Sequence, residues 1–309
     1  MSILYAGPEE WGALWRERVL AIDPTLSFHL WPESGDVTTV KLLVLAQFFP
    51  MDVAQFPNLR AIQSTWAGVD KLLPHMPAHL PLARMVDEGL ARNMGEFVLY
   101  HALDCLRHGP LLREQQHHGI WKKPPYREAS ALTVGLMGYG AMGQEAARRL
   151  RQAGFAPVAW SRRLKGEDEL GVRHYAGDTG LADFLAAADI VVCLLPLTRA
   201  TRGILNQRLF AGMKRGAWLI HAGRGGHLAE GDLLAGLREA RPGYAVLDVF
   251  TEEPLPPSHP FWTHPRIFIS PHAAAITPPG AGAGLIVENY YRALAGQKLL
   301  YEVDRAQEY

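Results

Sequence analysis

The chain has 309 residues with 31 basic and 31 acidic side chains, so its formal net charge is zero and no charge excess directs it to nucleic acid or an acidic membrane surface. Its length exceeds what one hydrophobic core usually serves, which predicts two domains. Cys105 and Cys193 stand in no paired or ligand-like spacing, so neither a disulfide framework nor a metal site is expected, and a reducing cytoplasm suits the composition.

The first eight residues lack a basic segment followed by an apolar core, and no apolar stretch reaches the ~18 residues that span a bilayer, so neither export nor a membrane location is expected. Short apolar runs then alternate with helical patterns and turn signals, the pattern of parallel sheets covered by helices on both faces. Residues 3–5, 26–30, 42–45 and 61–64 read as strands, with a helix from about Glu10 to Ala21, and form a first domain of residues 1–96. The segment 119–129, with Trp121, Lys122, Lys123, Pro124 and Pro125, reads as an exposed loop. Strands at 133–138, 156–160, 190–195, 218–222, 244–248 and 267–270 make a second domain, 97–277, with Cys193 inside its third strand as a small core residue. A last helix, from about Pro279 to Ala295, runs past the final strand and returns residues 278–309 to the first domain.

The strand at 133 ends in Gly138, and an alanine-rich helix opens near Ala141. Gly138, Gly140 and Gly143 occupy the G-x-G-x-x-G positions of a dinucleotide turn. The first glycine allows the tight turn, the second lets backbone approach a pyrophosphate, and the third lets helix and strand pack closely. The helix start at Ala141, Met142 and Gly143 then offers unpaired N–H groups to phosphate. The next strand ends in Ser161, Arg162 and Arg163, where NAD-selective proteins of this fold carry an acid for the ribose 2'-hydroxyl. A hydroxyl and two guanidinium groups suit a 2'-phosphate instead, which predicts NADP, as NADPH, in preference to NAD; the plain alternative is a solvated basic loop.

Arg224, Glu253 and His272 follow three later strands. Each alone has a duller reading, as a strand-end arginine, a charged loop residue beside Glu252, and one of thirteen histidines. His117, His118, His221 and His227 have no carboxylate or cysteine partner at a ligand spacing and read as structural or exposed.

Several ordered segments carry a resemblance: 67–70 (AGVD), 138–143 (GYGAMG), 194–198 (LLPLT), 222–226 (AGRGG), 247–256 (LDVFTEEPLP), 271–277 (PHAAAIT) and the ending 303–306 (VDRA). Over essentially its whole length the sequence resembles the D-isomer-specific 2-hydroxyacid dehydrogenase family, and within it the NADPH-preferring glyoxylate/hydroxypyruvate reductase A type. The resemblance implies an α/β fold in which a Rossmann-like, doubly wound parallel-sheet cofactor domain is inserted in a smaller flavodoxin-like substrate domain. It also implies a site in the cleft separating the domains, and a homodimer reached by the loop around Trp121. By the same resemblance Leu195, Pro196 and Thr198 lie under the cofactor riboses, Ala222 and Arg224 border the nicotinamide, and Gly223, His272 and Ala274 also bind the cofactor. Asp248 accepts from the carboxamide, and the backbone of Trp66, Ala67 and Gly68 binds the substrate carboxylate. Trp66 stands where the family often has a smaller residue, and Met94 where it has a small polar one.

The chemistry of reducing a 2-oxo acid accounts for the three residues. Hydride arrives at the carbonyl carbon while negative charge grows on its oxygen, so the site needs an anchor for the carboxylate and a proton donor. Arg224, permanently charged and fork-shaped, serves the first need and polarises the carbonyl. His272 serves the second as general acid, with Glu253 orienting its ring and favouring imidazolium. The expected activity is NADPH-dependent reduction of glyoxylate to glycolate and hydroxypyruvate to D-glycerate. The alternatives are a dehydrogenase for another or larger 2-hydroxy acid, and a non-catalytic NADP(H)-binding scaffold.

Overall fold

The structure, a computed structural model, describes residues 1–46, 51–162, 170–275 and 280–309. The chain forms two compact units, Met1–Leu90 with Thr277–Tyr309, and Ala91–Ile276.

In the first unit the strands are β1 (Ser2–Ala6), β2 (Ser27–Leu30), β3 (Val40–Leu45), β4 (Ala61–Ser64) and β5 (Leu82–Ala83), with α1 (Glu9–Ile22) after β1. All pair in parallel in the order β2-β1-β3-β4-β5, the flavodoxin-like order the sequence leads one to expect. Side chains alternate across a strand, so Ile3, Tyr5, Leu42 and Val44 pack with Trp15 and Val19 of α1, whereas Leu4, Ala6, Leu43 and Leu45 pack with Val53 and Phe56 on the other face. Both faces are covered, which is why these strands read as continuous apolar runs.

The C-terminal helix, Ala283–Leu294, adds Ile286, Val287 and Tyr290 to the α1 face. A polar contact inside this core fixes the return of the chain. Asn289, fully buried, donates through Nδ2 to Gln63 Oε1 at 2.7 Å and to the Leu300 carbonyl at 3.1 Å, and its Oδ1 accepts the Leu300 N–H at 2.7 Å.

The second unit contains most of α2 (Glu88–Leu106), then α3 (Gly109–His117), β6 (Thr133–Met137), α4 (Ala141–Gln152), β7 (Ala156–Ser161) and β8 (Arg173–Ala176). These are followed by α5 (Gly177–Ala187), β9 (Ile190–Cys193), α6 (Gln207–Gly212), β10 (Trp218–His221), α7 (Glu230–Arg238), β11 (Tyr244–Leu247) and β12 (Ile267–Ile269). Its parallel sheet runs β12-β11-β10-β9-β6-β7-β8, a doubly wound order whose direction switches at β6 and β9. Val191, Cys193, Leu219 and Leu247 meet Phe184, Phe210 and Leu233 on one face, while Ile190, Val192, Ile220 and Val246 meet Val98, Ala147 and Leu150 on the other.

The expected strands are present, and the structure adds two. β5 has only two residues, too short for a periodic signal, and β8 (RHYA) is a polar edge strand without an apolar run. The expected boundary at 96/97 falls within α2.

Replacing Asn289 by Leu keeps the branched shape of the side chain but strands Gln63 Oε1 and both Leu300 backbone groups. A loss of about 2–4 kcal/mol is expected, against about 1 kcal/mol for Ile286→Val in the same core, as read from denaturant unfolding of the two variants.

Candidate active site

Parallel pairing places the carboxyl ends of β6, β7, β9, β10, β11 and β12 along one edge of the second sheet, and the segments that follow them carry most of the expected site residues. Gly138 follows β6 with φ of 101°, and a Cβ there would stand 2.8 Å from the Leu194 carbonyl oxygen, so only glycine lets β6 and β9 end side by side. A Cβ on Gly143 would stand 2.2 Å from the Gly138 carbonyl oxygen, which brings the first turn of α4 hard against the glycine loop. Gly140, by contrast, faces open space. As N-cap of α4 it supplies no side-chain acceptor, and no acidic residue occupies the first turn, so the N–H groups at Ala141 and Met142 are presented without a built-in anion.

Ser161 ends β7, and Arg162 follows it exposed; Arg163 lies outside the described residues. After β9, Leu195 and Thr198 are buried. Thr201 Oγ1 shapes this loop by donating to the Pro196 carbonyl at 2.7 Å and accepting the Thr198 N–H at 2.9 Å.

Arg224 follows β10 in extended conformation, with Nη1 donating to the Gly223 carbonyl at 2.8 Å. Its neighbour Gly225 has no room for a side chain, because a Cβ would lie 2.0 Å from the carbonyl carbon and oxygen of Phe250. The arginine turn is thereby pressed onto the loop that holds Glu253.

Glu253 is fixed at both oxygens. Oε1 accepts the Phe250 N–H at 2.9 Å, and Oε2 lies 2.9 Å from His272 Nδ1. His272 itself sits in left-handed conformation, φ 53°, which costs a non-glycine residue about 1–3 kcal/mol unless its surroundings hold it. Asp248, buried at the end of β11, is what holds it. Asp248 Oδ1 accepts Ser270 Oγ at 2.6 Å, Ala273 N–H at 2.8 Å and Ala274 N–H at 3.1 Å, while its carbonyl accepts the His272 N–H at 2.9 Å. Bonds of this kind to a carboxylate are the strong ones, so they outweigh the strain. With Nδ1 turned to Glu253, the ring's Nε2 has no protein partner among the described residues.

The sequence reading needs one correction. Pairing of β9 with β10 sets Cys193 opposite His221, and the structure brings Cys193, His221 and His227 together, all buried, with ligand atoms within 4.8 Å of one another. His221 thus does have a cysteine neighbour, one that linear spacing cannot reveal. Three of the four ring nitrogens are nevertheless occupied by backbone groups: His221 Nε2 by the Arg224 carbonyl, His227 Nδ1 by the Arg224 N–H, and His227 Nε2 by the Pro196 carbonyl. Burial lowers the His221 pKa to about 3, so the ring is neutral, and burial pushes the Cys193 thiol up to about 12.

Met94 is buried in the same cluster as Tyr139, Ala222 and Ala274. Beside Ala273 and Ala274 a shallow concavity is lined by Asn93, Glu96, Phe97 and Tyr100 of α2, which carry no motif by which the sequence would single them out. Trp66, Ala67 and Gly68 belong to the first unit, in the loop after β4. There the Trp66 N–H is taken by Ser64 Oγ at 3.0 Å and its carbonyl by the Met85 N–H at 2.9 Å, while the N–H groups of Ala67 and Gly68 have no acceptor among the described residues.

Residues 99–274 match the family model described as D-isomer specific 2-hydroxyacid dehydrogenase, NAD binding domain. A glyoxylate/hydroxypyruvate reductase A of Yersinia enterocolitica is 34% identical, with 98% of each chain covered. Among solved structures, a D-isomer specific 2-hydroxyacid dehydrogenase of Xanthobacter autotrophicus Py2 in complex with NADPH and MES superposes with a TM-score of 0.94 at 34% identity, over 100% of this chain and 99% of that one. An NADPH-dependent glyoxylate/hydroxypyruvate reductase of Sinorhizobium meliloti, in complex with NADP and sulfate, gives 0.89 at 33% identity, with 100% of both chains covered.

Asp248→Ala releases Ser270 Oγ and the Ala273 and Ala274 N–H groups at once. A stability loss of about 2–4 kcal/mol in denaturant unfolding is expected, and adding His272→Gly, which removes the left-handed strain, should recover about 1 kcal/mol of it.

Proposed function

The chain belongs to the D-isomer-specific 2-hydroxyacid dehydrogenase family, and from that premise we propose that it reduces glyoxylate to glycolate and hydroxypyruvate to D-glycerate with NADPH. The observation that carries the reading is the Glu253–His272 pair at 2.9 Å, with the second ring nitrogen presented outward. In this reading the first unit is the substrate domain and the second the cofactor domain.

The cofactor fits the residues present. Gly138, Gly140 and Gly143 leave backbone where a pyrophosphate needs to approach, and Ala141 and Met142 offer N–H groups with no competing side chain. Ser161 and the exposed Arg162 stand at the end of β7, where a 2'-phosphate is read, and Arg163 is assigned the same role from sequence. Leu195, Pro196, Thr198, Ala222, Gly223 and Ala274 would wall the riboses and the nicotinamide. Asp248 Oδ2, which among the described residues takes only the Ala274 N–H, retains capacity to accept from the carboxamide. When bound, the nicotinamide supplies hydride, and the protein supplies the rest.

Arg224 binds the carboxylate of the 2-oxo acid and polarises its carbonyl, so the charge that develops on oxygen meets a fixed cation. His272 donates a proton from Nε2 to that oxygen. Glu253 accepts from Nδ1–H, which fixes the nitrogen that faces outward and balances the charge of the ring. In the first unit we assign the Ala67 and Gly68 N–H groups to the substrate carboxylate, with the part-exposed indole of Trp66 favouring short acids. The loop around the fully exposed Trp121 is assigned to a homodimer contact. No helix among the described residues is long and apolar enough to cross a membrane, and a cytoplasmic site of action fits this chemistry.

The test is consumption of NADPH and of NADH with glyoxylate, hydroxypyruvate and pyruvate side by side. NADPH-dependent turnover of the first two is expected. Turnover with NADH alone would overturn the cofactor assignment, turnover of pyruvate alone would favour a dehydrogenase for another 2-hydroxy acid, and NADPH binding without any turnover would favour a scaffold. His272→Ala should lower kcat about 10²–10⁴-fold with NADPH affinity retained. Arg162→Ala should weaken NADPH binding about tenfold or more and leave NADH binding unchanged.

A further inference from the structure

Two buried histidines grip the main chain of Arg224 from both sides. His221, the last residue of β10, lies 3.0 Å through Nε2 from the Arg224 carbonyl. His227, three residues beyond Arg224, accepts the Arg224 N–H at Nδ1 over 3.1 Å. A carbonyl only accepts and an amide N–H only donates, so both rings carry their proton on Nε2. His227 Nε2–H then donates to the Pro196 carbonyl at 3.2 Å, which ties the arginine turn to the loop after β9.

The neighbouring glycines make room for this arrangement. A Cβ on Gly223 would stand 2.9 Å from His227 Nδ1, the atom that takes the Arg224 amide, and Gly225 lies against the Phe250 backbone. A purely space-filling role is a poor account of these rings. Both are wholly buried, His221 Nδ1 has no partner among the described residues, and an apolar side chain would fill the same space without that desolvation cost.

We infer that His221 and His227 are positioning residues for Arg224: by holding its N–H and its carbonyl they set the point and direction from which the guanidinium reaches the substrate carboxylate. The inference rests on the reading of Arg224 as the carboxylate anchor. Long side chains amplify main-chain rotation, and about 1 Å of misplacement at a reacting group costs on the order of 10²-fold in rate.

His221→Phe and His227→Leu remove the bonds and keep the bulk. His221→Gln places an N–H donor near the Nε2 position, and His227→Asn places an oxygen acceptor near Nδ1. With the full-length protein and saturating NADPH, the apolar pair should lower kcat/KM for glyoxylate about 10- to 100-fold, chiefly through KM, with NADPH affinity within about twofold. The amide variants should regain most of the loss. In an Arg224→Ala background the same changes should cost less than about twofold, because the effect passes through Arg224. Gly223→Ala, which displaces the His227 ring without deleting a polar group, should reproduce the rise in KM and serves if an apolar variant does not fold.

Apolar variants within about twofold of the parent, or equal losses with and without Arg224, would overturn the inference. Those outcomes, beside a parent that reduces glyoxylate and an Arg224→Ala variant that reduces it measurably but far more slowly, remove the bracket alone. A parent that reduces no 2-oxo acid removes the underlying reading and the bracket together.

Discussion

The Asp248 carboxylate is the constraint on which the rest of the site depends. It is buried just after β11, where an unpaired charge would be prohibitive, and it is satisfied by gathering Ser270 Oγ and the Ala273 and Ala274 N–H groups around one oxygen. That gathering folds the chain after β12 into a turn whose middle residue, His272, must adopt positive φ. A strained histidine is thus held at a fixed point, and the Glu253 carboxylate, itself pinned by the Phe250 N–H, meets its ring at 2.9 Å. The Glu253–His272 contact follows from a structural charge one strand away.

Parallel strand order does the remaining assembly. Because β6, β9, β10, β11 and β12 end along the same edge, groups separated by more than a hundred residues in sequence lie in consecutive loops. Missing side chains set the spacing between those loops. Gly138 lets β6 end against Leu194, Gly143 lets α4 start against Gly138, and Gly225 lets the arginine turn lie on the Phe250 backbone. A Cβ at any of these positions would push apart the two segments packed there. The carboxyl-end loops of the second unit are accordingly closely packed, and the open face at Gly140 is where that packing leaves backbone accessible.

The features legible in sequence were those written in local patterns. Apolar runs between turn signals marked most strands, the glycine triplet marked the strand–helix turn, and Arg224, Glu253 and His272 stood out because each followed a strand. What sequence did not disclose depends on register and on three-dimensional proximity. β8 escaped because Arg173 and His174 mask its extended character at the sheet edge. The place of His221 and His227 depends on β10 pairing with β9 so that Cys193 and His221 coincide, and on a three-residue 3-10 turn that carries His227 back to Arg224. The internal bonds of Asp248 were equally hidden, since its donors lie more than twenty residues away in the segment after β12. Resemblance supplied the proposed ligand roles, and the geometry added what positions the residues to which they are assigned.

The central claim is that Glu253 and His272 act as one proton-donating unit. Its most direct test is a kinetic cycle on glyoxylate reduction with NADPH, comparing Glu253→Gln, His272→Ala and the double variant. The account predicts strong non-additivity, with the double variant no slower than His272→Ala alone, because the carboxylate has nothing to orient once the ring is gone. Losses that multiply, with the double variant slower than either by the product of the single effects, would contradict it and separate the two residues into independent roles.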